Sequence, residues 1–168
     1  MKSAAPNASP DSVQAIRASG AAPMKAGTFG LAAGKDADMD TTLGGLRGSS
    51  MEPASGHFSQ DLREDLVADL KAAGLYSDGS DIAIDAQLTD SQVDAAIGTG
   101  TGRLAARFQV RRGGKLTFDK EISVDAKWES SFVGGIAIPA AVQQYGALYQ
   151  ALVRQLFADA DFRAAVAR

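Results

Sequence analysis

Residues 104–128 read LAARFQVRRGGKLTFDKEISVDAKW, and their parity decides the fold. Leu104, Ala106, Phe108 and Val110 alternate with Ala105, Arg107, Gln109 and Arg111. Beyond Arg112-Gly113-Gly114 the alternation resumes through Leu116, Phe118, Ile122, Val124, Ala126 and Trp128. Successive strand side chains point to opposite faces, so this is a β-hairpin with its even positions inward. Matching even to even across the pair favours a three-residue loop, Arg112-Gly113-Gly114. That loop sets Val110 opposite Leu116, Phe108 opposite Phe118 and Arg107 opposite Asp119. A two-residue Gly-Gly loop would set an inward residue against an outward one, and is rejected. Lys120 alone breaks the pattern. It marks a β-bulge, the end of the sheet's cover, or a buried stem with its ammonium in water.

Working outward, Ile82, Ile84, Ala86 and Leu88 form an earlier strand of the same parity. Residues 90–102, with Gly98, Gly100 and Gly102, read as a connection. Phe58, Leu62, Leu66 and Leu70 recur every four residues, a helical stripe from about Ser59 to Ala73. Ser59 is the expected N-cap. Asp61, Arg63, Glu64, Asp65 and Lys71 are placed on the wet side. Gly74 is the expected stop, with Leu75 touching Leu70 as in a Schellman ending. Met24 to Ala33 is a first strand, and residues 34–56 are a long, mobile, Gly-rich loop. Ser130 to Gly135 is a turn, and the last long helix starts near Pro139, a residue favoured at a helix's first position. Asp161 caps a short terminal helix.

Alternating strands with one buried face and helices with one apolar stripe are both satisfied by an α+β two-layer sandwich. The expected order is β-α-β-β-β-α: about four mainly antiparallel strands with two long helices on one face. The expected organisation is a flexible lead-in or tether over residues 1–23, rich in Pro and small residues, in which Ser9-Pro10-Asp11 caps a short turn of helix through Ile16, then a single domain over residues 24–168.

Composition excludes several functions. The chain has 168 residues, 45% apolar and 22% charged, with net charge −3. That offers no bulk attraction to nucleic acid or anionic lipid. No apolar run reaches the roughly 20 residues that span a bilayer. Absence of cysteine removes disulfides, thiolate metal sites and thiol catalysis. A single histidine, His57, removes multi-His zinc sites. No apolar leader follows Met1-Lys2-Ser3.

Each remaining motif has a structural reading that accounts for it. Asp36, Asp38 and Asp40 have the opening spacing of an EF-hand, but Thr41 and Arg47 stand where Gly and Glu are required. Gly98-Thr99-Gly100-Thr101-Gly102 precedes a strand, whereas a phosphate cradle precedes a helix. Arg103, Arg107, Arg111 and Arg112 stripe one strand, with Asp119, Glu121 and Asp125 on its partner to pair them. Neither Ser130 nor Ser131 has a nearby base. No catalytic constellation, cofactor or metal site emerges, so the expectation is a non-enzyme. Trp128, Phe132, Val133, Ile136 and Ile138 cluster around Gly134-Gly135. They either pack under the final helix or form an apolar contact for a partner or lipid, and unusual exposure would mark the second.

The order of elements resembles the periplasmic domains of small bacterial outer-membrane lipoproteins: transport-auxiliary, envelope-assembly and curli-secretion types. The resemblance spans residues 24–166. It rests on the helix ending LKAAGL (70–75), Gly114-Lys115 in the hairpin, and the closing LFADADF (156–162). It implies periplasmic location, outer-membrane anchoring through an N-terminal lipidated Cys that this chain lacks, and binding of an envelope protein partner or lipid. Nucleic acid is not an expected partner. The alternatives are a cytoplasmic interaction module that pairs through its sheet face or edge, and a small enzyme using the Asp36–Asp40 or Gly98–Gly102 loop.

Overall fold

A computed structural model describes residues 1–168. Helix α1 (Pro10–Ala18) precedes strand β1 (Lys25–Leu31), a 3₁₀ turn (Ala37–Asp40) and a small hairpin, β2 (Leu43–Leu46) with β3 (Ser49–Met51). Helix α2 (Phe58–Ala72) leads to three long strands, β4 (Ile82–Asp94), β5 (Gly98–Arg112) and β6 (Lys115–Ser130). Helices α3 (Gly134–Ala158) and α4 (Ala160–Val166) close the chain. The main sheet has the order β1-β4-β5-β6, parallel at β1–β4 and antiparallel elsewhere. It is the expected two-layer α+β arrangement. One face meets the helices through a continuous core that includes Ile84, Phe108, Leu66, Tyr145 and Leu152. The other face is polar and laced by ion pairs: Arg103 with Asp90 and Asp125, Arg107 with Asp119, and Arg111 with Asp85.

The hairpin turns on two residues, not three. Gly113 and Gly114 have φ of +60° and +79°, the left-handed pair that a two-residue loop needs. Phe108 faces Lys120 and Val110 faces Phe118, but Arg111 faces Leu116. Thr117 is the extra residue of a β-bulge, and it reconciles the short turn with the inward parity below it. Leu116, on the far side of the bulge, is exposed rather than inward. Lys120 does point inward. Its Nζ reaches Asp159 Oδ2 at 2.7 Å and Asp161 Oδ2 at 2.8 Å. Hydrogen bonds to Asp159 and then Asp161 hold the ammonium above the usual lysine range.

Most of residues 90–102 is strand rather than connection: β4 runs to Asp94 and β5 starts at Gly98, leaving only Ala95 to Ile97 as the turn, and the two pair from Ile82–Arg112 to Asp94–Thr101. A second irregularity between Leu88 and Asp90 moves the buried parity of β4 from even positions to Ser91 and Val93. Packing accounts for two glycines of the Gly98–Gly102 run, while Gly98 takes φ of +89° at the β4–β5 turn. A Cβ on Gly100 would lie 2.6 Å from Trp128 Cζ2 and closer still to Cε2 and Nε1. A Cβ on Gly102 would lie 3.1 Å from Leu148 Cδ1. Gly100 clears space for an indole laid across the strand, and Gly102 for Leu148 of α3.

Helix α2 ends as expected. Leu75 N–H donates to Leu70 O, Gly74 N–H donates to Lys71 O, and Gly74 is left-handed. Its start differs. Ser59 lies inside the first turn, and its N–H and hydroxyl donate to Asp40 Oδ1 at 2.7 Å and Oδ2 at 2.8 Å. Asp40 is thus a cap delivered from another segment, and Asp36 caps its own 3₁₀ turn by accepting from Asp38 N–H. Helix α4 is capped by Asp159, not Asp161: Oδ1 accepts from the N–H groups of Asp161 and Phe162.

Residues 1–23 are not a loose tether: the short helix read at Ser9-Pro10-Asp11 is α1, which runs to Ala18 with Ser9 at its N-cap position. Ile16 of α1 is in the core, and residues 1–9 lie as a strap along α2. Asp61 and Asp65, expected on the wet side of α2, are buried beneath that strap with Asp69. Residues 34–56, predicted mobile, hold the 3₁₀ turn and the β2–β3 hairpin.

Candidate functional site

Three turns meet at one end of the sheet. The β4–β5 turn carries Ile97, the β2–β3 turn carries Arg47 and Gly48, and the β6–α3 junction carries Ser130 to Val133. Gly98 pairs with Ser130, which sets Ile97 beside the junction. Ala95 N–H donates to Gly45 O at 2.8 Å, which docks β2 against the end of β4.

Arg47 ties the three together. Its Nε donates to Ala95 O at 2.7 Å, one terminal nitrogen to Phe132 O at 2.9 Å, and the other to Ser131 O and to Ser130 Oγ at 3.3 Å. Every acceptor is neutral, so the guanidinium is spent on shaping backbone, not on an ion pair. Arg47 is the one non-glycine residue with positive φ, at +53°. A left-handed L-residue costs about 1–2 kcal/mol, and the clasp offsets that cost. Ser131 Oγ also accepts from Val133 N–H at 3.0 Å.

The clasp holds a bare apolar tip. Phe132 is 78% exposed, Val133 54%, Ile136 62% and the neighbouring Ile97 62%. Helix α3 starts at Gly134, more than a turn before Pro139, and Ile136 sits on that added turn. No charged residue occurs from Ser130 to Val153. Of the five residues singled out in sequence, Phe132, Val133 and Ile136 stand out in solvent, while Trp128 and Ile138 pack against the core. Ile97 and Arg47 were missed, since each joins the site only through tertiary contact.

Beneath the tip's helix, Ser91 Oγ, Tyr145 Oη and Tyr149 Oη form a buried chain of two 2.6 Å hydrogen bonds. Burial raises both phenols and keeps them neutral. A cleft of about 370 Å³ lies between the strap and helices α2 and α3, lined by Asp61, Asp65, Tyr149 and Gln150. No transmembrane-length apolar helix is present.

No protein-family model matches the chain, and no curated protein resembles it in sequence. Solved structures do share its shape. Protein XCC0632 from Xanthomonas campestris, of family DUF330, superposes with a TM-score of 0.60 at 13% identity, covering 94% of each chain. A protein from Caulobacter crescentus described as a candidate lipoprotein overlaps at TM-score 0.43 and 17% identity, over 61% of this chain and 78% of that one. A minor lipoprotein from Acinetobacter baumannii overlaps at 0.42 and 17%, over 80% and 84%. The first of these shows that the fold of this chain is that of XCC0632.

Proposed function

We propose that this chain is a non-catalytic envelope lipoprotein domain that binds a protein partner or lipid through the Arg47-clasped tip, in cell-envelope assembly or transport. The observation that carries the binding role is the exposure of Phe132, Val133 and Ile136 in succession on a tip fixed from three sides. Isolated exposed apolar residues are ordinary, but a contiguous group marks an interaction surface. The lipoprotein part rests on the sequence resemblance, and the fold shared with XCC0632 supports the two-layer domain alone. In this reading the protein is periplasmic, anchored to the outer membrane by a lipid-modified Cys upstream of Met1.

The test is a photo-crosslinking residue at position 132 in cells of the native host, with position 155 on the exposed side of α3 as control. Adducts to one envelope protein or to phospholipid at 132 alone support the reading. Equal labelling at both positions, or none, refutes it. The intact mass of the native protein tests the anchor separately.

A second reading has its own observation. Strand β6 is the free edge of the sheet over 16 residues, and such an edge can accept another chain's strand. A cytoplasmic interaction module would use it, and crosslinks would then fall at Glu121 and Ser123 rather than at Phe132.

A further inference from the structure

Asp61, Asp65 and Asp69 repeat every four residues on α2, so they stack along one face of the helix. All three are buried. They read the strap. Ser3 Oγ donates to Asp61 Oδ2 at 2.9 Å, Asn7 N–H to Asp65 Oδ1 at 3.0 Å, and Ser9 N–H to Asp69 Oδ1 at 2.7 Å. The spacing is physical. Four helical residues rise about 6 Å and two extended residues about 6.6 Å, so the Asn7 and Ser9 amides, two apart on the strap, meet Asp65 and Asp69, four apart on the helix, while Asp61 is reached by the Ser3 hydroxyl. Asp61 also accepts from the N–H groups of Ala54 and Ser55.

No cation faces this column. Asp65 is flanked by Asp61, Glu64 and Asp69 on its own helix, and Tyr149 of α3 presents a neutral phenol. The strap segment over it supplies amides and hydroxyls, while Lys2 is turned to Glu52 at 3.2 Å. Gln143 and Gln150 complete the cleft wall, and Gln150 bonds Asn7 Oδ1 at 2.7 Å.

We propose that residues 1–9 are a pH-sensitive latch on α2, tightening as the medium becomes acidic and loosening as it becomes alkaline, with Asp65 as the titrating group. The hinge is at Ser9-Pro10, since α1 beyond it is fixed by Ile16. Burial pushes Asp65 up to about 7. The Asn7 amide pulls it down, and the neighbouring carboxylates push it up again. A carboxyl whose pKa is raised in the docked state binds a proton there that it does not hold when undocked. Docking is therefore favoured at low pH and weakened as pH rises through about 7. Asp69 is raised in the same direction, chiefly by burial. The latch is independent of the binding tip and of the proposed function.

The test is amide hydrogen exchange on the whole chain, followed at Asn7 and Ser9 and corrected for intrinsic rates, at pH 6 and pH 8. Linkage from an ordinary carboxyl pKa to about 7 gives a loss of about tenfold in protection across that range. Asp65→Asn keeps the acceptor and removes the charge, so its protection should lose most of its pH dependence, with any remainder belonging to Asp69. Carboxyl-carbon NMR of Asp65 in the unaltered protein is the second measurement, and a midpoint near 7 supports the latch. Flat protection in the unaltered protein, the same loss in Asp65→Asn, or an ordinary carboxyl midpoint would overturn it.

Discussion

Gly100→Ala tests why β5 contains its glycine run. The backbone at Gly100 has no positive φ, so alanine fits the strand conformation. Alone, the change would gain about 0.5–1 kcal/mol, because glycine is unfavourable in a strand interior. The added Cβ, however, would lie 2.6 Å from Trp128 Cζ2 and nearer to two other indole atoms. The ring must leave its place, and overpacking of this kind costs about 1–3 kcal/mol. Placing the same change in a Trp128→Ala background removes the obstacle and leaves only the gain. The backbone gain is common to both backgrounds and cancels, so the coupling between the two positions should be about 1–3 kcal/mol, the overpacking cost alone. Urea denaturation followed by circular dichroism measures all four proteins. Trp128 is the chain's single tryptophan, so its emission also reports displacement directly, as a red shift. If Gly100→Ala unfolds and emits like the parent, or costs as much without the indole as with it, the account of the glycines is wrong.

Other perturbations separate the remaining claims. Tyr145→Phe should cost about 1–3 kcal/mol by stranding Ser91 Oγ and Tyr149 Oη. Tyr149→Phe should cost less, since Tyr145 keeps Ser91; thermal denaturation ranks the two. Arg47→Gly relieves the left-handed backbone but removes the clasp. It should raise amide exchange and protease cleavage at Ser130–Val133 while the sheet stays protected. Asp65→Asn should stabilise the protein by on the order of a few kcal/mol at pH 8 and little at pH 4. A raised carboxyl pKa contributes stability that is complete below the unfolded value and lost as pH rises through about 7. Denaturant midpoints at both pH values check it.

Parity made the faces of β4, β5 and β6 readable, because burying one side of a sheet imposes alternation on every strand. Register was not readable. The bulges at Thr89 and Thr117 each add one residue, and a bulge leaves the hydrophobic pattern intact while moving the pairing. Lys120 was the one sign that something was displaced, and its partners Asp159 and Asp161 are too distant in sequence to be named in advance. The strap was invisible for a different reason. Its own residues are small and polar, and what holds it is backbone N–H meeting carboxylates on α2. The signal lay in the helix, where Asp61, Asp65 and Asp69 border the Leu62–Leu66–Leu70 stripe, and charge alone placed Asp61 and Asp65 in water. At the tip, exposure of Phe132 follows from where α3 begins. Choosing Pro139 as the start hid the turn that carries Ile136.

Arg47 gives the tip its meaning. A glycine at the β2–β3 turn would take φ of +53° without cost, and an asparagine nearly so. An arginine there is justified by what its side chain holds: three carbonyls and a hydroxyl from the β4–β5 turn and the β6–α3 junction. Of the residues it holds, Ala95 and Ser130 are buried while Phe132 stands in solvent, so the clasp ties the exposed tip to the rim of the core. Immobilising an apolar group before contact lowers the entropy lost on contact. That is the advantage a rigid exposed tip gives under the binding role proposed above.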